Sequence, residues 1–467
     1  DIEKIRAANL DFIIRFAAGR VEGDVLESSR FGVWYYHLGA DDAQAHPAGF
    51  WEIYKGNATS SCSLRRLGAQ AQSDRTLKWG RLKTLNASYS ANLSQLLIQG
   101  SRLLAQACLD IGNGVDPVIQ NSSPLVGNPA RHEPGSFECV MFYLRLKRNK
   151  LKNFYTNLFV HRHWGLALSF SPIEDLWLRP NSADVSLLPL PSRATFHADP
   201  FGFCYQDGLA ILHERWSSID AHGAIACSFI DKDSLDELRL KPTSETDPAI
   251  PAVETLPVDI KFSHHSSYPY VFEYEGEYYC VPETSEAARV SLYRFGGSSG
   301  EWTYITDIIS DFAAVDSSIV RYSGKWWLFC TNLKDNPDSH LYIFHADELL
   351  GPWKPHLNNP VKMDIRSARP AGTPFEHEGA LYRPAQDSSR SYGGAIAIQK
   401  VTDLSPISFA EEHCGDLKLL ADNLRVDGMH TLSVAGESIV LDYYRRAFLP
   451  NILVHRLKLY LQSKRRK

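Results

Sequence analysis

Apolar and polar positions follow a pattern that repeats five times across residues 190–447. In each repeat a strand-like apolar run meets a turn that contains glycine, and a second strand-like run follows. The turn glycines are Gly208, Gly276, Gly324, Gly379 and Gly436. They lie 48 to 68 residues apart, which is near the roughly 40–50 residues of a four-stranded propeller blade. The pattern therefore predicts a mainly β chain with a five-bladed β-propeller, and a β-sandwich is the alternative.

The first 111 residues follow a different pattern. Leu10–Ile14 and Gly32–His37 are short apolar runs typical of buried strands, and Ala91–Ile111 carries apolar residues at helical spacing. We therefore expect a small α/β domain over residues 1–111, in front of the propeller.

The segment between these two regions, residues 112–189, begins with a stretch rich in Gly, Pro and Asn that is typical of a linker. Two apolar runs follow, Cys139–Leu146 and Leu166–Phe170. We expect both runs to form strands on the outside of the propeller. Residues 448–467 form a basic tail, which we expect to be solvated.

Composition and charge exclude some classes of protein. The net charge of −5 over 467 residues provides no basic face for nucleic acid, and no apolar run is long enough to cross a membrane. The eight cysteines lie singly and form no CxxC pair, so no metal site is expected. Four of them lie in apolar runs and are predicted to be buried thiols of a reducing compartment: Cys204, Cys227, Cys280 and Cys330. This favours a cytoplasmic location.

Propeller geometry brings distant residues to one place, because the innermost strand of each blade lines the central channel. The residues where these strands begin should therefore share one funnel. The candidates are His197, Asp199, Tyr268, Asp316, Arg369 and His430, and second strands add Glu214, Glu283, Arg383, Gln386 and Asp387. Crowded acids beside arginine acquire different pKa values, as cleavage of a glycosidic bond requires. The alternative is that Asp199 and Asp316 only cap strand starts.

One motif resembles a known superfamily. The sequence ADPF, followed by DG and then Glu214, resembles the first blade of the five-bladed furanosidase-type glycosidases. The resemblance implies that Asp199 is the general base, that Asp316 tunes a pKa, and that Glu283 is the acid. The second blade begins with Tyr-Pro in place of the superfamily's Asp-Pro.

A second resemblance covers more of the chain. The segments SYPYVFEYEGEYYCVPETS, WWLFCT, LYRPAQDSSRSYGGAI and MHTLS are similar to the N-terminal propeller domain of glucosamine inositolphosphorylceramide transferases. In the plant enzymes a separate C-terminal domain is regarded as the sugar-transfer unit. Here the chain ends about 20 residues after the last predicted blade, so we expect that no such unit follows.

The N-terminal region has a resemblance of its own. The segment from Leu10 to Leu67 resembles the second half of the formyltransferase fold, whose chemistry uses Asn, His and Asp. His37 matches the histidine, and Tyr35 stands at the Asn position. The Asp position falls near Gln72 or Ser73, close to Asp74. The resemblance implies a degenerate or incomplete module.

Three functions remain open. The first is a carbohydrate-active enzyme, a glycoside hydrolase or glycosyltransferase that uses paired carboxylates in the funnel. The second is a non-catalytic glycan-binding or scaffold propeller, in which aromatic rings stack on sugars: Phe201, Tyr268, Tyr382 and Tyr392. The third is a relative of the sugar N-formyltransferases. The favoured hypothesis is an enzyme that acts on a glycan or activated sugar without a cofactor. The sequence does not indicate its oligomeric state.

Overall fold

The structure is a computed structural model in which two units are distinguished, residues 1–154 and residues 155–467. It describes residues 1–16, 20–39, 47–70, 73–115, 117, 133–179, 184–192, 195–217, 223–240, 253–256, 258, 260, 262–297, 300–417 and 426–448. The described residues are mainly β and contain six sheets. None of their helices is both long enough and apolar enough to span a bilayer. Most of the predicted basic tail lies outside the described residues.

The first unit is a four-stranded sheet with helices. Its sheet order is β1-β2-β3-β4, in which β1 runs parallel to β2 and the other pairs are antiparallel. The elements are α1 Ile2–Ala7, β1 Ile13–Arg15, a 3-10 helix Asp24–Glu27, β2 Val33–Leu38, α2 Phe50–Lys55, β3 Thr59–Arg66, β4 Arg75–Lys83 and α3 Tyr89–Gly112. The predicted helix is confirmed as α3, because Leu96 and Leu103 lie seven residues apart and are both fully buried.

The residues matched to the formyltransferases lie on β2 and beside it. The Tyr35 hydroxyl donates to Asp74 Oδ2 at 2.8 Å, and Arg20 pairs with the same carboxylate at 2.8 Å. His37 is buried, and Ser73 donates to the carbonyl of Gln70, while position 72 lies outside the described residues. The formyltransferase resemblance stays a prediction.

One predicted strand is wrong. Cys139–Leu146 lies inside helix α4, Ser136–Phe159, which contains the boundary between the two units. Its buried positions, Phe142 and Asn149, lie seven residues apart, which is a helical spacing. The apolar run at residues 139–146 is too short to show this helical spacing. The other predicted strand, Leu166–Phe170, overlaps β5, Val160–Ser169.

The described residues of the second unit form five antiparallel sheets, named I to V. Four are built from consecutive strands, whereas sheet V joins β5 and β6 to the last two strands of the unit. Sheet I has β7 Thr195–Tyr205, β8 Gly208–Ser217, β9 Gly223–Ile230 and β10 Glu254–Leu256. Sheet II has β11 Ser267–Tyr274, β12 Glu277–Glu283, β13 Arg289–Phe295 and β14 Trp302–Ser310. Sheet III has β15 Ala314–Tyr322, β16 Lys325–Asn332, β17 His340–Ala346, β18 Lys354–Pro355 and β19 Lys362–Met363. Sheet IV has β20 Phe375–His377, β21 Ala380–Asp387, β22 Ala395–Leu404 and β23 Phe409–Leu417. Sheet V has β24 Leu432–Ala435, β25 Ser438–Phe448, β5 Val160–Ser169 and β6 Val185–Leu187. Short helices α5 Asp175–Leu178 and α6 Lys232–Leu240 and a 3-10 helix Ser285–Ala287 lie between strands.

The five predicted hairpins are confirmed, each with a two-residue turn between its strands. Glu275 and Gly276 both have positive φ, as do Ser323 and Gly324, which is the conformation of a type I′ turn. Gly208 differs, because it is the first residue of β8 and the turn lies at residues 206–207. A Cβ there would meet the Ile230 carbonyl at 2.4 Å, so this glycine permits close strand packing.

Neighbouring sheets share apolar cores in a closed order. Sheets I, II and III meet in one cluster through Phe201, Tyr270 and Ile319. Three further clusters hold residues of two sheets each: Phe329 of sheet III with Leu381 of sheet IV, Ile398 of sheet IV with Leu441 of sheet V, and Leu168 of sheet V with Ile211 of sheet I. Each sheet therefore packs on the next, and the last packs on the first.

The cysteines are all unpaired, as their spacing predicts. Cys227, Cys280 and Cys330 are buried, but Cys204 is exposed and its predicted burial is wrong. It stands near the turn end of β7, one residue after the buried Phe203. Because side chains alternate along a strand, Cys204 points to the other face.

Candidate functional site

Strands β7, β11 and β15 share one irregularity in their first halves. Asp199, Tyr268 and Asp316 have φ values of 52°, 41° and 52°, a region that residues other than glycine seldom occupy. At each of them the strand pairing slips by a bulge. Such backbone costs about 1–3 kcal/mol and gathers at functional sites. The bulge turns these side chains out of the normal strand alternation.

Asp316 is held by Arg369, which lies in the segment before β20, and by Gln386 of β21. Arg369 donates to Asp316 through Nε at 2.5 Å and Nη2 at 3.3 Å. The Gln386 amide adds a bond at 2.7 Å. Arg369 also contacts the half-exposed Asp338 at 3.0 Å, so one guanidinium serves two carboxylates. Burial lowers the pKa of Arg369, but these acids outweigh it and raise that pKa.

Glu283 lies beside Asp316 at the end of β12. Its Oε2 accepts the backbone N–H of Asp316 at 3.2 Å, and its Oε1 accepts the Ser285 hydroxyl at 3.0 Å. Only 8% of Glu283 is exposed. Burial, followed by the charge of Asp316, raises the pKa of Glu283 to about 8. This carboxyl therefore carries a proton at neutral pH.

Asp199 lies at the bulge of β7 and meets sheet V. Its Oδ1 accepts the Thr431 hydroxyl at 2.8 Å, and His430 Nε2 is 3.6 Å away. Burial raises the pKa of Asp199 to about 6, although His430 works against that rise. Near neutral pH this carboxyl is therefore mostly ionised, in contrast to Glu283.

Asp442 anchors the junction between sheets I and V, and the sequence analysis missed it. Its carboxylate accepts the backbone N–H groups of Asp199 at 3.1 Å, His430 at 2.9 Å and Thr431 at 3.0 Å. It also meets His430 Nδ1 at 2.5 Å. Burial lowers the pKa of His430, but Asp442 and then Asp199 outweigh it and raise that pKa. The sequence does contain a signal for Asp442, because it is a single acid inside the apolar run SIVLDYY.

Aromatic rings line the same region. Trp164 stacks on His430 with ring centroids 4.1 Å apart, and Tyr392 meets the His430 ring edge-on at 5.2 Å. Arg369 lies over the Tyr392 ring at 5.1 Å. Trp164 comes from β5, far from the predicted repeats, so the sequence analysis did not include it. These contacts connect His430 to the Arg369–Asp316 pair.

Tyr268 and Glu214 lie next to this group. The Tyr268 hydroxyl bonds to Ser318 at 2.8 Å and accepts the N–H of Gly372 at 2.6 Å, so it joins sheets II and III to the segment before β20. Glu214 is buried. Burial, followed by the charges of Asp199 and Glu283, raises the pKa of Glu214 well above its usual range.

Three predicted residues lie elsewhere. Arg383 is fully buried and pairs with Glu411, which also binds Lys362; we call these three residues the Arg383 cluster. Asp387 accepts the N–H of Ser389. His197 packs against His213 with centroids 4.4 Å apart, and burial followed by Arg215 lowers its pKa to about 4. His197 stands before the bulge of β7, whereas Arg383 and Asp387 lie on β21, which pairs with both of its neighbours in continuous register.

The residues that the structure brings together form a carboxylate cluster, composed of Asp199, Glu214, Glu283, Asp316, Arg369, Gln386, His430 and Asp442. Its acids outnumber its cations. Asp199, His430 and Asp442 each bring one ligand atom within 4.8 Å of the others, as a metal site would require. Asp442 already accepts several protein N–H groups. The expectation of no metal and no cofactor stays a prediction.

Comparison with known proteins identifies relatives. The family described as glucosamine inositolphosphorylceramide transferase 1, N-terminal, matches residues 181–419, just over half of the chain. The glucosamine inositolphosphorylceramide transferase 1 of Oryza sativa subsp. japonica is 32% identical over 223 residues, which are 47% of this chain and 28% of that protein. The Arabidopsis thaliana protein of that name is 33% identical over 228 residues, 48% of this chain and 27% of its own. The chain thus spans less than a third of these relatives.

Solved structures give more distant likenesses. Zg3597, a family 117 glycoside hydrolase of Zobellia galactanivorans, has a TM-score of 0.35 and 15% identity, with 55% of this chain and 87% of that chain covered. The catalytic domain of the Coprinopsis cinerea GH62 α-L-arabinofuranosidase has a TM-score of 0.35 and 11% identity, with 55% and 94% covered.

The predicted cytoplasmic location is wrong. It was inferred from cysteines expected to be buried thiols, and the cysteines are indeed unpaired. The curated relatives, however, are named as glucosamine inositolphosphorylceramide transferases. Ceramide is a lipid whose hydrocarbon chains belong in a membrane. The predicted resemblance to the transferases, by contrast, is confirmed. This chain belongs to the family of the N-terminal domain of glucosamine inositolphosphorylceramide transferase 1.

Proposed function

We propose that this protein is a carbohydrate-active enzyme that performs acid–base chemistry on a sugar bond at the carboxylate cluster. One observation carries the proposal: two carboxyl groups of the carboxylate cluster, both of which act on Glu214, have unlike protonation, with the pKa of Glu283 raised to about 8 and that of Asp199 raised to about 6. Glycoside chemistry needs one protonated carboxyl and one ionised carboxylate. Between these two pKa values, the cluster supplies both.

The proposed site lies in the middle of a five-bladed propeller. The closed order of apolar contacts supports this arrangement, because sheet V packs on sheet I. A backbone bridge joins Gly372, in the segment before β20, to Leu432 of sheet V. Tyr268 joins the same segment to sheets II and III. Five sheets in a ring place the starts of their inner strands around one axis.

The proposed roles follow from the environments. Glu283 donates a proton to the leaving oxygen, since burial keeps its carboxyl protonated. Asp199 is the general base. Asp316 stays beside Arg369 and raises the pKa of Glu283 by its charge. A phosphorylase that uses Arg369, Arg383 and His430 is less well supported, because Arg383 is committed to Glu411.

The proposed substrate is a glycan or an activated sugar. The relatives are named for glucosamine and for inositolphosphorylceramide, so the sugar transferred in their reaction is the first one to try here. The aromatic rings beside His430 provide faces on which a sugar ring can stack. Hydrolysis and transfer differ only in the acceptor, and we test both.

The experiment compares Glu283→Gln, Asp199→Asn and wild type. Purified protein is given aryl glycosides for hydrolysis, and UDP-glucosamine with an inositolphosphoryl lipid for transfer. We expect each variant to lose about 10²–10⁴-fold in rate while its far-UV circular dichroism is unchanged. Glu277→Gln is the matched control, since Glu277 is an exposed residue on the same strand as Glu283. Turnover that persists in Glu283→Gln would contradict the assigned role.

A second candidate function is glycan binding without turnover. It is favoured by the low exposure of the two acids, since Asp316 is 2% exposed and Asp199 is 5% exposed. Both carboxylates already accept hydrogen bonds from other side chains of the protein. Of the aromatic rings predicted to stack on a sugar, Phe201 and Tyr268 are fully buried, whereas Tyr392 is half-buried. Calorimetry distinguishes the two functions, because binding without turnover should survive Asp199→Asn but weaken in Tyr392→Ala.

A further inference from the structure

Helix α4, Ser136–Phe159, has an apolar stripe that faces solvent. Phe137, Leu144 and Leu151 repeat every seven residues and are 73%, 53% and 69% exposed. Val140 and Phe154 lie beside them and are also exposed. Seven residues are close to two helical turns, so these side chains form one continuous surface. Contiguous exposed apolar surface of this kind marks an interaction site.

The stripe is not the face that packs on the protein. The opposite side of α4 carries Phe142, which stacks on Phe50 with ring centroids 4.2 Å apart and meets Tyr89 edge-on at 5.8 Å. Asn149, two turns later, donates to the carbonyl of Asn86 at 2.9 Å. The helix therefore has a separate anchoring face, and the exposed stripe remains available to a partner.

Basic residues flank the stripe. The helix contains five cationic residues and one acid, Glu138. The cationic residues are Arg145, Lys147, Arg148, Lys150 and Lys152. The whole chain has a net charge of −5, so this basic segment is a local feature. Long basic side chains beside apolar residues can reach lipid phosphates while their stems stay in contact with the apolar layer.

Charge selects among the possible occupants of the stripe. A second copy of α4 would bring five cations against five cations with few acids to offset them. Residues 118–132 and 449–467, the two longest segments outside the described residues, contain no acidic residue and offer no complement either. An anionic lipid surface offers both an apolar layer and negative charge. The helix does not qualify as a membrane span.

We propose that α4 lies on an anionic membrane surface, with its exposed stripe among the lipid chains and its Lys and Arg side chains at the phosphates. The arrangement is that of an interfacial amphipathic helix. It is independent of the chemistry proposed for the carboxylate cluster, and either can fail without the other.

The test is co-sedimentation of the full chain with vesicles of roughly seven parts phosphatidylcholine to three parts phosphatidylserine. We expect binding that high salt and pure phosphatidylcholine both reduce. Leu144→Glu with Leu151→Glu should weaken it at least about tenfold. Leu357→Glu with Ile407→Glu is the matched control, since these side chains are 47% and 54% exposed, and it should bind like wild type.

A second variant guards against a folding defect. Lys147→Gln with Lys150→Gln keeps the apolar stripe and should weaken binding about fivefold for each charge removed. Absence of vesicle binding, or binding that the Leu144/Leu151 variant leaves unchanged, would overturn the proposal. So would a dimer in light scattering that this variant dissociates while vesicles capture nothing.

Discussion

Two buried arginines in the second unit have opposite surroundings. In the Arg383 cluster, Glu411 meets both Arg383 and Lys362, and these cations outweigh burial and lower the pKa of Glu411. In the carboxylate cluster, Arg369 is shared by Asp316 and Asp338, and the pKa of nearby Glu283 is raised to about 8. Surplus cations keep an acid ionised, whereas surplus acids leave one of them protonated. The local balance of charge separates a structural ion pair from a group that can transfer protons.

The largest expected effect comes from breaking the structural pair. Arg383→Met should reduce the free energy of unfolding by about 3–5 kcal/mol, because Glu411 then stays buried with one cation fewer. Chemical denaturation measures the loss. Arg383→Met with Glu411→Leu should recover part of it, and a loss below about 1 kcal/mol would contradict a tightly coupled pair.

Asp442→Asn should have the next largest effect. The amide cannot pair with the His430 ring as a carboxylate does, so we expect about 2–3 kcal/mol of lost stability. Because Asp442 is the largest influence that raises the pKa of His430, that pKa should fall. Histidine resonances in an NMR titration measure the shift. An unchanged His430 pKa would mean that Asp442 does not govern it.

The pH dependence of stability should separate the two clusters. Glu283 keeps its proton in the folded state up to a pKa of about 8 but loses it near 4.5 when unfolded. The folded state therefore binds more protons in this window, and stability falls as pH rises through it, by up to about 1.4 kcal/mol per pH unit. His430, with its raised pKa, contributes in the same direction.

Glu283→Gln should flatten this slope, and the variant should be more stable than wild type at pH values near 8. Glu411→Gln is the control, because the pKa of Glu411 is lowered in the folded state. Such a group stabilises the fold at pH values above its unfolded-state pKa, and that stability is lost only as pH falls through its folded-state pKa. Its slope between pH 5 and 8 should match that of wild type. Denaturation midpoints across this range provide the measurement.

An ion pair whose arginine is exposed should matter least, although its acid, Asp364, is buried. Arg366 binds Asp364 at 2.9 Å, but its side chain is 47% exposed. Solvent screens such pairs, so Arg366→Ala should change the free energy of unfolding by less than about 1 kcal/mol. Thermal denaturation checks this, and a larger loss would mean that exposure is a poor guide to the weight of an ion pair here.

The repeat and the turns were predictable because hairpins leave local signals. Gly276, Gly324 and Gly379 adopt the positive φ that their turns require. Asp199, Asp316, Arg369 and His430 could be grouped because each of them lies near the beginning of one of the predicted repeats.

The rest depended on tertiary packing. Asp442 and Trp164 enter the site from β25 and β5, whose pairing joins distant parts of the chain. Arg383 and Arg369 look equivalent in the sequence, and only their neighbours separate them. The strand predicted at Cys139–Leu146 is wrong because a short apolar run does not reveal whether its period is that of a strand, 2, or that of a helix, about 3.6.

The most direct measurement of the central claim is the protonation of Glu283 itself. Infrared difference spectra of wild type against Glu283→Gln, recorded across pH, isolate the carbonyl stretch of this one carboxyl group. The account predicts a protonated carboxyl that titrates with a midpoint near pH 8. A midpoint near the ordinary glutamate value of about 4.3 would contradict it, because the cluster would then contain no acid ready to donate a proton.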